Sequence, residues 1–330
     1  MDAPTRDAKL KSASDLVQMA VRFAGQGDWP QAAQHLEEAA GIWSGVPEVQ
    51  GASDVRRLAI GAAINEARAQ IAVQGGSLDD AKQLLHEALD LRTREKAAGG
   101  NPNPMQVAAD CLNLSSIAHR EGDNVKALDY NTRAQAMLVG DQSPPARIFY
   151  ASSFEARANL LGLLNRLDEA LATFDEGVRL AGELIAAEIP GGKQLRTEML
   201  VHSARGRART GRPREAALLV EEAAELAWDR FETSQGADKE AISHFVAAQM
   251  NLVGFAETLG EFARAEDALF KVLRLVGPDA RVVERGMKLY QALLEKDDAA
   301  LSAGNLPRDE VDESYRQLQA IARAAAQQRA

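Results

Sequence analysis

A turn followed by regularly spaced small residues recurs six times along this chain of 330 residues, and no other feature constrains the fold as strongly. In the first copy, a Gly-Asp turn leads to Ala32, and Leu36 and Ala39 follow four and seven residues later. This spacing places all three side chains on one face of a helix. The residues that correspond to Ala32, here called the key alanines, are Ala32, Ala81, Ala127, Ala170, Ala216 and Ala265.

A second residue, usually small, lies twelve positions before each key alanine, on the helix that precedes the turn. These residues are Ala20, Ala69, Ser115, Ala158, Ala204 and Val253. Small residues that face each other allow two helices to approach closely. Breaks rich in Gly and Pro, such as residues 190–192, separate one pair of helices from the next. The pattern therefore predicts an array of helical hairpins in which each hairpin packs on its neighbours.

This arrangement resembles the tetratricopeptide repeat (TPR), a two-helix unit with small residues at three such places. The residues of the best-matching copy are Leu16, Met19, Ala20, Phe23, Ala32, Leu36 and Ala39. Successive key alanines are 49, 46, 43, 46 and 49 residues apart, whereas a standard TPR repeats every ~34 residues. The spacing resembles the extended TPR variants of kinesin light chains and of some bacterial peptide-responsive regulators. It implies longer helices, longer loops, or both.

The resemblance implies an all-α fold, a right-handed superhelix (α-solenoid) of about six to seven TPR-like hairpins with a C-terminal capping helix. We expect a flexible N-terminus over residues 1–11, the repeat array over residues 12–303, and the capping helix within residues 304–330. Another helix is expected from Asp279 through about Ala300. Its apolar residues either pack inward as a seventh hairpin or form a dimer face, so both a monomer and a homodimer are consistent with the sequence.

Charge and composition narrow the range of partners. The net charge of −10 and the pI near 5.2 argue against nucleic acid or an anionic membrane as the main partner. The sequence contains no apolar run of the ~18 residues that a transmembrane helix needs and no apolar signal segment, so we expect a cytoplasmic protein without membrane insertion. Cys111 is the one cysteine, and the five histidines are scattered without metal-ligand spacing. We therefore expect no cofactor and no metal site.

In TPR folds the first helix of each hairpin lines a concave groove, so the resemblance implies a partner-binding surface on those helices. The candidate groove residues are Leu112, Ser116, His119, Arg120, Glu155, Asn159, Arg205, Arg209 and Met250. Arginine forks suit carboxylates, and asparagine can hold a peptide backbone. One hypothesis is that an acidic or C-terminal segment of a partner lies across the third to fifth repeats. The alternative is that the arginines are solvated or paired with Glu155 and Glu198.

These observations favour a protein–protein interaction module, an adaptor or scaffold that binds a partner peptide or protein in the concave groove. The alternative is a peptide-gated regulatory protein of the bacterial TPR-regulator type, in which binding compacts the superhelix. An enzyme would require a clustered acid, base or nucleophile, and the sequence indicates none. One residue conflicts with the repeat register, because Arg207 occupies a position that is usually apolar. Either its side chain extends to solvent, or the register slips in the fifth repeat.

Overall fold

Fifteen α-helices and the turns between them make up residues 1–49 and 54–327, the part of the chain that this computed structural model describes. The helices are α1 (Ala3–Gly25), α2 (Trp29–Ser44), α3 (Val55–Gln74), α4 (Leu78–Ala97), α5 (Pro104–Arg120), α6 (Asn124–Leu138), α7 (Pro144–Leu163), α8 (Leu167–Ala186), α9 (Gly192–Arg209), α10 (Pro213–Thr233), α11 (Lys239–Leu259), α12 (Phe262–Val276), α13 (Ala280–Leu294), α14 (Asp298–Ala303) and α15 (Arg308–Gln327). The chain is all-α, and its helices pack as sequential hairpins. No helix in this part of the chain is apolar over the length needed to cross a membrane.

The chain divides into two compact units, Met1–Ser153 and Phe154–Ala330, and the boundary falls within α7. We call them the N-terminal and C-terminal units. Each has its own apolar core. Leu10, Leu36 and Ile64 belong to a core cluster of the N-terminal unit, and Leu269 belongs to the large cluster of the C-terminal unit.

The key alanines lie where the hairpin pattern predicts, at the contacts between paired helices. All six are at most 5% exposed. The small partner residues twelve positions earlier are buried as well. In the third hairpin the Ser115 hydroxyl donates to the Ala127 carbonyl oxygen at 2.7 Å, which shows how closely the two helices approach. The repeat register predicted from the sequence is therefore confirmed in both units.

The turn inside each hairpin contains one residue with a left-handed backbone, five positions before the key alanine. These residues are Gly27, Gly76, Gly122, Asn165, Gly211 and Gly260. Glycine adopts a positive φ without strain, and asparagine is among the few other residues that tolerate it. The fourth hairpin therefore makes the same turn as the others although it lacks the glycine. Asp28 and Asp123 then accept backbone N–H groups at the start of α2 and α6.

Long helices account for the wide repeat spacing. Helices α3, α4, α7 and α8 each contain 20 residues, and α10 and α11 contain 21. Two helices of this length exceed the ~34 residues of a standard repeat before any loop is added. The loop between the third and fourth hairpins is short, because residues 139–143 join α6 to α7.

The N-terminus differs from the sequence-based expectation. Residues 1–11 were expected to be flexible, but α1 begins at Ala3, and Asp2 accepts the Thr5 backbone N–H at its start. Leu10 is fully buried in the same cluster as Leu36. The physical reason is that Leu10 continues the apolar face of α1, so the first helix extends well before the first repeat signal.

The C-terminal helices correct a second expectation. The helix expected to run through about Ala300 ends at Leu294, and Asp297 accepts the Ala300 N–H to start the short α14. Tyr290 is fully buried, so α13 packs into the core. Helix α15 buries Val311 and Leu318 in the same core, as expected of a capping helix.

Arg207 does not disturb the register. Its guanidinium contacts Asp175 at 2.7 Å and Glu215 at 3.1 Å, and it also donates to the Ser203 hydroxyl. The neighbouring Ala204 and the key alanine of the fifth hairpin are fully buried. The charged end of Arg207 therefore reaches two carboxylates while its helix keeps the predicted orientation.

Candidate functional site

Three of the predicted groove residues line one cavity in the C-terminal unit. Asn159 from α7 and Arg205 and Arg209 from α9 surround a space of about 300 Å³, here called the α7–α9 pocket. Phe174 and Leu171 of α8 form its apolar wall, and His202 lies beside them. The first helices of two consecutive hairpins thus present an amide and two guanidinium groups to the same space.

The arginines of this pocket are not paired with Glu155 or Glu198, so the solvated form of the alternative interpretation is the one that remains. Glu155 lies 3.4 Å from the His202 Nε2 atom, and Glu198 accepts a hydrogen bond from the Gln194 amide at 3.1 Å. Arg205 donates through Nε to the Asn251 side-chain oxygen at a long 3.4 Å. Both arginine side chains are exposed.

Arg209 makes no hydrogen bond or ion pair through its side chain with any residue between 1 and 49 or between 54 and 327. A guanidinium carries five donors in a fixed planar arrangement that matches a carboxylate. The pocket therefore contains one arginine without a protein partner and a second that is only weakly engaged, next to a neutral amide.

The other predicted residues lie elsewhere within their own units. On α5, Leu112 is half-buried against the cluster around Cys111, and Ser116 and Arg120 are exposed. His119 turns toward the start of α6, where its Nδ1 atom lies 2.8 Å from the Asn124 side-chain oxygen. On α11, Met250 packs against the core of the C-terminal unit and does not line the α7–α9 pocket.

A second cavity, here called the α1–α5 pocket, lies among the first helices of the N-terminal unit. It measures about 520 Å³, and residues of α1, α3 and α5 form its walls. Its polar lining comes from Glu66, Gln70, Gln74, Gln106, Asp110 and Asn113. Acidic and amide groups thus replace the arginines found in the α7–α9 pocket.

Asp110 is the residue in this cavity that sequence reasoning missed. Its side chain is only 2% exposed, and its Oδ2 atom has no hydrogen-bond partner in the described structure. Burial and the neighbouring Glu66 carboxylate raise the pKa of Asp110 to about 8, although Arg92 opposes the shift. A signal was present in the sequence, because Asp110, Leu114 and Ile117 share the spacing of one helical face.

Arg92 pairs with Glu66, the carboxylate whose charge helps to raise the pKa of Asp110. Its guanidinium contacts Glu66 at 2.7 Å, Glu95 at 3.1 Å and the Gln106 side-chain oxygen at 3.0 Å. The acceptors around Arg92 therefore do not include Asp110.

Three potential metal ligands approach one another in the C-terminal unit. Single ligand atoms of Glu198, Glu240 and His244 all lie within 4.8 Å of one another. The Gln194 amide donates to both carboxylates at 3.1 Å, and an Arg230 nitrogen lies 3.2 Å from the His244 Nδ1 atom. Because arginine can only donate, Nδ1 must accept, and a neutral ring then carries its hydrogen on Nε2. The lone pair that a metal would need at Nε2 is absent, so this group is better described as a hydrogen-bonded cluster.

Comparisons with known proteins bear on the fold. Residues 185–323 match a family described as "Family of unknown function (DUF6483)", and no curated protein matches the chain. A Pyrococcus horikoshii STAND protein with a tetratricopeptide repeat sensor is 12% identical, with a TM-score of 0.59, covering 92% of this chain and 42% of that one. PilF of Pseudomonas aeruginosa is 13% identical, with a TM-score of 0.53, covering 88% and 100%.

A Podosopora anserina protein described as "putative kinesin light chain nearly identical TPR-like repeats" is 17% identical, with a TM-score of 0.50, covering 71% of this chain and 99% of that one. At such low identity these similarities concern the fold alone. The chain has the fold of TPR-repeat proteins, as its repeat pattern indicates.

Proposed function

We propose that this chain is a protein-interaction module, an adaptor or scaffold that binds a peptide segment of another protein, and that it is not an enzyme. The observation that carries the proposal is the convergence of Asn159, Arg205 and Arg209 on the α7–α9 pocket. TPR proteins generally mediate binding to proteins or peptides, which makes a peptide the expected occupant of such a pocket.

The chemistry of the pocket favours an acidic ligand group. Arg209 offers a guanidinium without a partner among residues 1–49 and 54–327, and Arg205 needs to give up only a long contact to Asn251. A carboxylate, either at a C-terminus or on an acidic side chain, would accept from both arginines. The Asn159 amide can hold the adjacent peptide backbone because it offers both a donor and an acceptor. The apolar wall at Phe174 suits an aliphatic or aromatic side chain nearby.

The test begins with an affinity pull-down from the native lysate, comparing the wild type with Arg205→Glu/Arg209→Glu. The segment of the captured partner that binds is then synthesised with a free or an amidated C-terminus and titrated by fluorescence anisotropy. We expect the wild type to bind the segment and the double variant to lose at least about tenfold in affinity, since charge-assisted hydrogen bonds become repulsion.

The matched control is Arg316→Glu/Arg323→Glu, which reverses the same charge on two exposed residues of α15 and should bind the segment as the wild type does. Like the pocket variant, this control places a carboxylate near the C-terminus of a helix, so it reproduces any loss of stability that this placement causes. If both double variants bind the segment as the wild type does, the α7–α9 pocket is not the binding site. A ligand-dependent change in radius of gyration would favour the peptide-gated regulator over the adaptor.

A further inference from the structure

The largest of the pockets described here lies among α10, α11 and α12, within the C-terminal unit. This cavity, here called the α10–α12 pocket, measures about 630 Å³, roughly twice the volume of the α7–α9 pocket. It lies in the range of ~300–1,000 Å³ that is usual for small-molecule sites. None of the residues of the proposed peptide site lines it.

The walls of the α10–α12 pocket are largely apolar. Trp228 of α10 and Phe245 of α11 pack with ring centroids 5.3 Å apart, and Leu252 and Ala224 extend the apolar surface. Trp228 nevertheless remains 37% exposed. An aromatic side chain of this size normally removes most of its surface from water. The cavity therefore presents aromatic surface that a ligand of suitable shape would cover.

Gln249 contributes a hydrogen-bond acceptor to the pocket, and a ligand would have to supply the donor for it. Its side chain is 6% exposed and lines the cavity, and its Oε1 atom has no hydrogen-bond partner among the described residues. A buried acceptor without a donor costs free energy, so such atoms are uncommon unless a ligand or water completes them. An occupant with an N–H or O–H group would satisfy this atom.

The charges that line the pocket favour an anion. Lys271 and Arg274 of α12 are exposed, and neither forms an ion pair with a residue in the described ranges. On the opposite helix, Glu221 is already held by Arg264, with contacts of 2.6 and 2.9 Å. Of the charged residues that line the pocket, Glu225 is then the one carboxylate, and Lys271 and Arg274 the two cations, that form no ion pair with a described residue.

We propose that the α10–α12 pocket binds a small amphipathic anion with a flat apolar body and an N–H or O–H donor. The apolar body lies against Trp228 and Phe245, the donor reaches Gln249 Oε1, and the anionic group lies near Lys271 and Arg274. This site is separate from the proposed peptide site and does not depend on it.

The probe is an anilinonaphthalene sulfonate whose N–H and sulfonate lie at opposite ends of the ring system. Its N-methylated analogue lacks the donor and is otherwise the same. Binding is followed by probe fluorescence and by energy transfer from tryptophan. We expect one saturable site on the wild type and binding of the N-methylated analogue that is weaker by about tenfold, the size of one buried hydrogen bond.

Gln249→Leu separates a binding role from a structural one. Leucine has a similar size and removes the unpartnered acceptor, so thermal stability should hold or rise. Affinity for the N–H probe should fall about tenfold, while affinity for the N-methylated analogue stays close to that of the wild type. Lys271→Gln/Arg274→Gln should weaken both probes equally. Arg316→Gln/Arg323→Gln, which removes the same charge from exposed residues of α15 that line neither pocket, should bind both as the wild type does.

The proposal is overturned if the wild type shows no saturable site, or if it binds the two probes with equal affinity. It is also overturned if Gln249→Leu melts at a lower temperature while its preference for the N–H probe is unchanged. Leu275→Trp, at a half-buried residue that lines the cavity, reduces the space for a ligand and gives an independent check in a variant whose circular dichroism and melting are first shown to be intact. Undiminished probe binding by that folded variant would place the probe elsewhere on the surface.

Discussion

The α1–α5 pocket of the N-terminal unit and the α7–α9 pocket of the C-terminal unit use the same repeat positions for opposite chemistry. Gln70 and Gln74 stand eleven and seven residues before their key alanine, and Arg205 and Arg209 stand eleven and seven residues before theirs. All four side chains are exposed. Yet the first pair lies in a cavity with buried Asp110, and the second pair carries two positive charges into its cavity.

The comparison separates two sets of positions within one repeat. The key alanines and their partners twelve residues earlier fix how the helices pack, and they are buried in both units. In the second and fifth hairpins, the positions eleven and seven residues before the key alanine face a cavity and are exposed, so they do not determine the packing. The repeat can therefore keep its geometry while these positions change the chemical class of ligand.

The largest expected effect tests whether the two units share the same repeat register. Ala127→Trp in the N-terminal unit and Ala216→Trp in the C-terminal unit should each destabilise the protein by roughly 1–3 kcal/mol or more, because both alanines are fully buried between helices. Denaturant unfolding measures the change. An unchanged midpoint for either variant would show that its alanine does not hold the position assigned to it.

Exchanging the side chains eleven and seven residues before the key alanine tests whether these positions select the ligand. Arg205→Gln/Arg209→Gln gives the C-terminal unit the residues of the N-terminal unit and should weaken binding of the acidic partner peptide by about tenfold or more. Gln70→Arg/Gln74→Arg is the reciprocal control and should leave that affinity unchanged. Titration by fluorescence anisotropy measures both. Equal affinities for all three proteins would mean that these positions do not select the ligand.

The α1–α5 pocket also differs from the α7–α9 pocket in its response to pH, because Asp110 lines it. The folded state raises the pKa of Asp110 from 3.8 to about 8, so within this window the folded protein holds a proton that the unfolded chain releases. Stability contributed by this group is therefore lost as pH rises from about 4 to about 8. Asp110→Asn removes this titration. The melting temperature of the variant minus that of the wild type should therefore increase by a few degrees as pH rises from about 4 to about 8.

The control for this measurement is Asp129→Asn, which removes an exposed carboxylate from α6. Its melting temperature should follow that of the wild type at every pH. A parallel pH dependence of Asp110→Asn and the wild type would show that Asp110 is not protonated in the folded state.

The smallest expected effect concerns the helix contact itself. Ser115 donates to the Ala127 carbonyl oxygen at 2.7 Å, whereas Ala204, the equivalent residue in the fifth hairpin, has no hydroxyl. Ser115→Ala should cost about 0.5–1.5 kcal/mol, the net value of one hydrogen bond. Chemical denaturation can resolve a change of this size. No change would mean that the close helix approach alone stabilises this contact.

Periodicity made most of the fold predictable. The spacing of small residues predicted the hairpins and their register, because burial at a helix contact repeats with the helix itself. The fourth turn was harder to recognise, since Asn165 replaces the glycine. The position of α1 and the break after Leu294 depend on tertiary packing and on a cap at Asp297, which local signals describe poorly.

The site was predictable only in part. Counting back from the key alanines identified Asn159, Arg205 and Arg209 because exposed first-helix positions follow the repeat. The same count could not identify the buried, unpartnered atoms of Asp110 and Gln249. Whether a polar atom has a partner depends on the helices packed around it, and that information is spread over distant parts of the sequence.

The buried Cys111 has a practical consequence. It is the single cysteine of the chain, it lies against the core cluster of α5 and α6, and its burial raises the pKa of the thiol. Maleimides and spin labels react with accessible thiolates, so the native protein should remain unlabelled under mild conditions. Two cysteines introduced at exposed positions such as residues 74 and 116 would then be the reactive thiols, and the distance between their probes could be measured without first removing the natural cysteine.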